Sequence, residues 1–264
     1  EFMKKKILIA VKTYPNPSKS YNETVCTAGL DEDKKWIRIY PINFRSRPLA
    51  ERYKKFQWIE VDIEKTEGRD FRPESYRLKN FDDEITTLEQ VTSYDVKKEY
   101  LLNNVYDSLD DLLSDSQEPK NISLATYKPS SIVSACYEPC KRNWNKEEQE
   151  KFLQLNIFNI APQIPLKKMP CNFKYTFKDI NGSEHTMSIL DWEIGALYWN
   201  CLKSSKSEKE ACQKVINKLE DIANNKDMYF ILGTTLEHHQ RRLPNPFTIV
   251  GLFYPPFDDQ LTIF

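Results

Sequence analysis

"WIRIYPINFRSRP", residues 36–48, is the stretch on which the reading of this chain turns. As a strand, it sends Ile37 and Ile39 to one side and Trp36, Arg38 and Tyr40 to the other, because successive side chains alternate across a sheet. The isoleucine side is core. The other side sets an arginine between two aromatic rings and runs on into a basic loop with Arg45 and Arg47. The segments around it have the same character: "KKILIAV" (5–11), "TVCTAGL" (24–30) and "QWIEVDIEK" (57–65). The charged connector "DEDKK" predicts that 24–30 and 36–41 form a hairpin. In 57–65, Ile59, Val61 and Ile63 alternate with Trp58, Glu60, Asp62 and Glu64, the pattern of a half-buried strand. Together these segments predict a small N-terminal antiparallel β-sheet or partly open barrel, with a turn-rich loop over 12–23.

Further along, 66–122 reads as an acidic, loop-rich stretch with a short helix at 107–115. Strand character returns over 122–135, interrupted by Pro129. Asn145 and Glu148 form a capping-box pattern that predicts a helix at 146–155. Asn181-Gly182 marks a hairpin. Two amphipathic helices follow, at 191–203 and at 208–223, the second opened by Ser207 and Glu210. The continuous apolar runs 228–234 and 247–255 predict strands covered on both faces. The fold class is α+β: an N-terminal sheet or barrel packed with a C-terminal mixed helix/strand lobe, divided softly into 3–120 and 121–264.

A chain of 264 residues that is 40% hydrophobic has ample material for a core. No run approaches the roughly 18 apolar residues of a membrane span, and no signal core follows the basic start, so a soluble cytoplasmic protein without a membrane partner is expected. Glu1 and Phe2 ahead of Met3 read as a cloning remnant. The six cysteines include one close pair, Cys136 and Cys140, with no second pair to complete a zinc site, and they read as free thiols. Six glycines form neither a dinucleotide fingerprint nor a Walker loop, and no cofactor is indicated. Asp62 and Glu64 share a strand face with the geometry of a divalent-cation pair, and equally that of an ordinary solvent face; Lys65 points the other way, unlike a nuclease motif.

Charge is distributed unevenly. Residues 1–57 hold thirteen Lys/Arg against six Asp/Glu, and residues 58–118 hold seven against seventeen. Within the basic third, Trp36, Arg38, Tyr40, Arg45, Arg47, Arg52, Lys54 and Lys55 interleave rings with cations, and Arg69, Arg72 and Arg77 continue the mixture. That combination suits nucleic acid, cations for phosphates and rings for bases, and DNA and RNA are both open. An alternative reading is an enzyme acting on a nucleotide or nucleic acid, with His238 or His239 as general base and Arg241 and Arg242 holding phosphate in the loop "TTLEHHQRRLPNP" (234–246). A third is a non-catalytic subunit whose acidic middle docks a protein encoded nearby.

The stretches "VKTYPNPSKSYNETVCTAGLDEDKKWIRIYPINFR", "RPESY", "DWEIGALYWNC" and "FILGTT" with "PFTIVGLFYPP" resemble one family of prokaryotic hypothetical proteins. The resemblance spans nearly the whole chain. It implies an association with mobile or defence loci, and hence with a defence or DNA-processing system, and it implies no assigned activity and no catalytic residue.

Overall fold

The computed structural model describes residues 2–18, 22–66, 68, 70–141, 143–147 and 166–258. They fall into two compact units, Glu1–Leu101 with Lys141–Pro170, and Leu102–Cys140 with Cys171–Phe264. Residue 120, where the sequence suggests a soft boundary, lies inside the second unit.

The first unit is built from β1 (Phe2–Lys12), β2 (Asn16–Ser18), β3 (Asn22–Asp31), β4 (Trp36–Ile42), β5 (Gln57–Lys65), β6 (Ser75–Leu78) and β7 (Thr86–Gln90). β1 pairs antiparallel with β3, and β3 with β4. β6 pairs parallel with β4 and antiparallel with β5, and β5 pairs antiparallel with β1. Following the pairs returns to the start, β1-β3-β4-β6-β5-β1, a closed barrel of five strands. The α+β class is as expected from sequence, and the barrel is closed rather than partly open. A five-stranded Greek-key barrel in this order, with its single parallel pair between the third and fifth strands, has the topology of the OB-type barrel.

Closure depends on β1, which is long enough to serve two neighbours. Its residues Phe2–Leu8 pair with β5 while Ile7–Lys12 pair with β3, and a bulge between Ile9 and Val11 turns the strand from one to the other. Opposite Ile9 lies Gly29. A Cβ at Gly29 would collide with the carbonyl oxygen of Leu8 and crowd Ile7, and backbone cannot be moved aside like a flexible side chain. Gly29→Ala is therefore expected to lower stability by about 3 kcal/mol, read as a fall in the denaturant midpoint of the first unit.

Ile7, Ile9, Ile37, Ile39, Ile59, Val61 and Ile63 fill the barrel and are all buried. Two 3-10 turns, Phe44–Ser46 and Leu49–Glu51, connect β4 to β5. There Phe44 meets Tyr53 edge-on at 4.9 Å, and the Tyr53 hydroxyl shares a hydrogen bond with that of Thr27. The helix Tyr94–Leu101, in a stretch read from sequence as loop, sets Tyr100 against Trp58 at 5.2 Å. Trp58 is the cross-strand partner of Leu8, which in turn pairs with Leu30. Leu8 and Leu30 face outward yet are buried, so the helix covers this part of the outer surface. The chain rejoins this unit after residue 140: the Tyr14 hydroxyl donates to the Lys167 carbonyl at 2.9 Å, and the Trp144 indole N–H donates to Leu166 at 3.0 Å. Most of the helix expected at 146–155 lies outside the described residues.

The second unit holds β8 (Val105–Tyr106), β9 (Leu124–Tyr127), β10 (Ser131–Pro139), β11 (Cys171–Lys178), β12 (Glu184–Ser188), β13 (Tyr229–Thr234) and β14 (Phe247–Phe253). They form a β10-β11-β12 sheet and a β14-β13-β9-β8 sheet. The expected hairpin is β11-β12, and Pro129 separates β9 from β10. The helix Leu109–Asp115 is capped by Ser108, and Trp192–Lys203 by Asp191. The helix Glu208–Asn225 starts as its sequence dictates: the Ser207 hydroxyl accepts from the Glu210 amide at 3.1 Å, and the Glu210 carboxylate accepts from the Lys206 amide at 2.8 Å. Its buried stripe of Ala211, Cys212, Val215, Leu219 and Ile222 matches the expected face. A cluster of rings fills the core, with Phe230 stacked on Tyr175 at 5.7 Å and edge-on to Phe177 at 5.1 Å.

Candidate nucleic-acid interface

Cross-strand register decides what the barrel shows to solvent. Arg38 pairs with Ser75 and Ile39 with Tyr76, so the next residues in the same parallel register are Tyr40 and Arg77. Arg77 in turn pairs with Glu64. Tyr40, Arg77 and Glu64 thus form a row across β4, β6 and β5 on the outer face. Tyr40 is 45% exposed and the Arg77 side chain 57% exposed, although Arg77 donates Nε to Glu64 at 2.6 Å. In the loop between β5 and β6, Phe71 is also 45% exposed. The outer face therefore carries an accessible ring beside an accessible guanidinium, and the β5–β6 loop carries a second accessible ring.

The other cations of the sequence reading divide by what holds them. Arg38, on the outer face of β4, is only 2% exposed. Burial lowers its guanidinium from the ordinary value and neighbouring Arg72 lowers it further, while Glu74 and Asp70 favour the charge. Arg72 is buried too, its Nε and Nη2 gripping both oxygens of Asp70 at 2.8 and 2.7 Å. Burial alone would raise the Asp70 carboxyl, but these bonds to Arg72 outweigh it and hold the group below the usual carboxylate range. The Arg72–Asp70 pair braces the loop within itself, and the Arg38 amide, donating to the Glu74 carbonyl at 2.7 Å, ties its end to β4.

Arg47 is likewise structural, against the expectation that its loop carries charges for solvent. It is 4% exposed and donates to Glu51 at 2.8 Å and to the carbonyls of Asp83 at 2.7 Å and Phe81 at 2.9 Å. Arg52 spans the carbonyls of Arg47 and Arg45 at 2.8 and 2.6 Å. Arg45 and Trp36 are partly exposed. Lys54 and Lys55 precede β5, at the end of that strand away from the 66–74 loop; Lys55 sits 5.5 Å from the Phe56 ring. Nine strand residues are about 30 Å long, so these lysines do not share the Phe71 end of the surface. Arg69 lies outside the described residues.

The two histidines and two arginines of 234–246 differ in burial and in partners. His238 and His239 are adjacent on the short helix Leu236–Gln240, and neighbouring helical positions point in different directions. His239 is buried and His238 exposed. Arg242 pairs with Glu118 at 3.0 Å, and Arg241 is exposed. Asp62 is exposed while Glu64 is engaged by Arg77, and no group of three or more His, Cys, Asp or Glu side chains is placed to hold a metal among the described residues.

Phe71 is the part of this surface that the sequence reading passed over. Its signal was an aromatic between Arg69 and Arg72 in a loop with no other large apolar residue, but a loop phenylalanine is indistinguishable in sequence from one that tucks under.

Two family models cover the chain, a domain of unknown function (DUF8758) over residues 3–103 and a domain of unknown function (DUF8757) over residues 105–264. The chain belongs to the second of these families, whose model spans more than half of it, and also carries the domain of the first. No curated protein matches the chain.

Proposed function

We propose that this member of an uncharacterised family binds single-stranded nucleic acid on the outer face of its N-terminal barrel, across β4 and β6 and the loop that joins β5 to β6. The observation that carries the reading is the exposed Tyr40 beside the exposed Arg77, with a second exposed ring, Phe71, in the loop that joins β5 to β6. Unpaired bases stack on such rings, with about 1–3 kcal/mol per base, and the cation meets the phosphates between them. Duplex bases are already stacked on one another, so the rings favour a single strand. A barrel of this topology hosts many ligands, and it supports the reading only by analogy. The outer face of β5 is excluded as a path, since it carries Glu60, Asp62 and Glu64, with Lys4 already paired to Glu60 at 3.0 Å.

The test is a fluorescence-anisotropy titration of the whole chain with labelled single-stranded DNA and RNA of mixed sequence and with the matching duplexes. Single strands are expected to bind more tightly than duplex. The logarithm of affinity is expected to fall with the logarithm of salt with a slope of about −0.7, as for roughly one phosphate contact, that of Arg77, on a single strand. Tighter binding of duplex, or no binding of either strand at low salt, would overturn the proposal.

A further inference from the structure

In the second unit, Cys171 at the start of β11 and Cys212 in the first turns of the helix Glu208–Asn225 bring their sulfur atoms to 3.3 Å. Both are free thiols and both are buried. Neither takes part in the proposed contact with nucleic acid, which lies in the other unit. We propose that these two thiols are a modification site, closing to a disulfide in the folded protein when a hydroperoxide is the oxidant.

The geometry needs little adjustment. A disulfide bond is about 2.05 Å long, so the sulfur atoms have to approach by about 1.2 Å. In the reaction one thiol gives up its proton and its sulfur attacks an oxygen of the peroxide. The O–O bond breaks, the distal oxygen leaves as water or an alcohol, and the sulfur becomes a sulfenic acid. The second sulfur then displaces the hydroxyl, which departs as water with the second thiol's proton. Each sulfur loses one electron and the peroxide gains two. Burial raises both thiols from their ordinary values, so the thiolate is scarce at neutral pH and the reaction is slow. Once formed, the bond closes a loop of about 40 residues and restrains the unfolded chain.

The experiment treats the pre-reduced full chain with hydrogen peroxide, alkylates the remaining thiols and maps the peptides without reduction. A linked pair of peptides carrying Cys171 and Cys212, two hydrogens lighter than their sum and separable by dithiothreitol, is expected. The melting midpoint of the second unit should rise by about 5–10 °C. The rise should be missing from Cys212→Ala treated in the same way, and if that variant does not fold, the peptide map of the unaltered chain decides alone. Complete alkylation of both cysteines, links that instead involve the more accessible Cys136, Cys140 or Cys201, or a link that lowers the midpoint would each overturn the proposal.

Discussion

Replacing both Tyr40 and Phe71 by alanine is expected to weaken binding of a single-stranded oligonucleotide by about 30-fold or more, taking the lower bound of one stacking interaction per ring. Both residues are 45% exposed, so their removal leaves the barrel core intact and should change stability by no more than roughly 0.5 kcal/mol. The combination of lost affinity and retained stability is what separates a contact surface from a packing surface. Anisotropy titration beside a denaturant melt reads both quantities. If the double variant binds as tightly as the original chain, the surface described above is not the contact.

Arg47→Ala should do the opposite. The guanidinium ties Glu51 to the backbone carbonyls of Phe81 and Asp83, and its removal leaves these acceptors facing one another around a void. Hydrogen bonds to a charged group are worth about 1.5–3 kcal/mol each, and stripping the partner from a buried charge costs more than the pair contributes. Glu51 retains some access to water and an amide from Ile85, which moderates the loss. The first unit is expected to lose about 3 kcal/mol, measured in urea, with Arg47→Lys recovering only part of it because one ammonium cannot reproduce the planar fork. Loss of nucleic-acid binding in Arg47→Glu would then report unfolding. Arg45→Glu, two residues earlier on a partly exposed side chain, tests charge without that complication.

The difference between these neighbours shows where the sequence was legible. Alternation in 36–41 and 57–65 places Ile37, Ile39, Ile59, Val61 and Ile63 inside because a pleated strand has two faces and only one can be apolar. The caps at Ser207 and Glu210 could be read because they act over three residues. Barrel closure could not, since it depends on β6, a four-residue strand containing Tyr76 and Arg77 whose pattern differs little from loop, and on a parallel pairing between segments more than thirty residues apart. Side-chain fate on the outer face was equally hidden. Arg38, Arg47 and Arg72 share the basic character of Arg45 and Arg77, and what distinguishes them is burial: Arg47 is taken up by the carbonyls of Phe81 and Asp83, more than thirty residues away, and Arg72 by Asp70 two residues before it in the same loop. A cation count therefore overstated the surface available to phosphate. Of the rings on the same strand face, Tyr40 is exposed and Trp36 partly so.

The return of Lys141–Pro170 to the first unit bears on how such a protein can change over generations. The family boundaries fall near residue 104, yet the partner of Tyr14 is the carbonyl of Lys167, well inside the other domain's span. A gene fusion or exchange at that boundary would put a barrel together with a segment that had not been selected to fit it. Substitutions around Tyr14 and around Lys167 are accordingly expected to be inherited in step, and the two domains to travel as one.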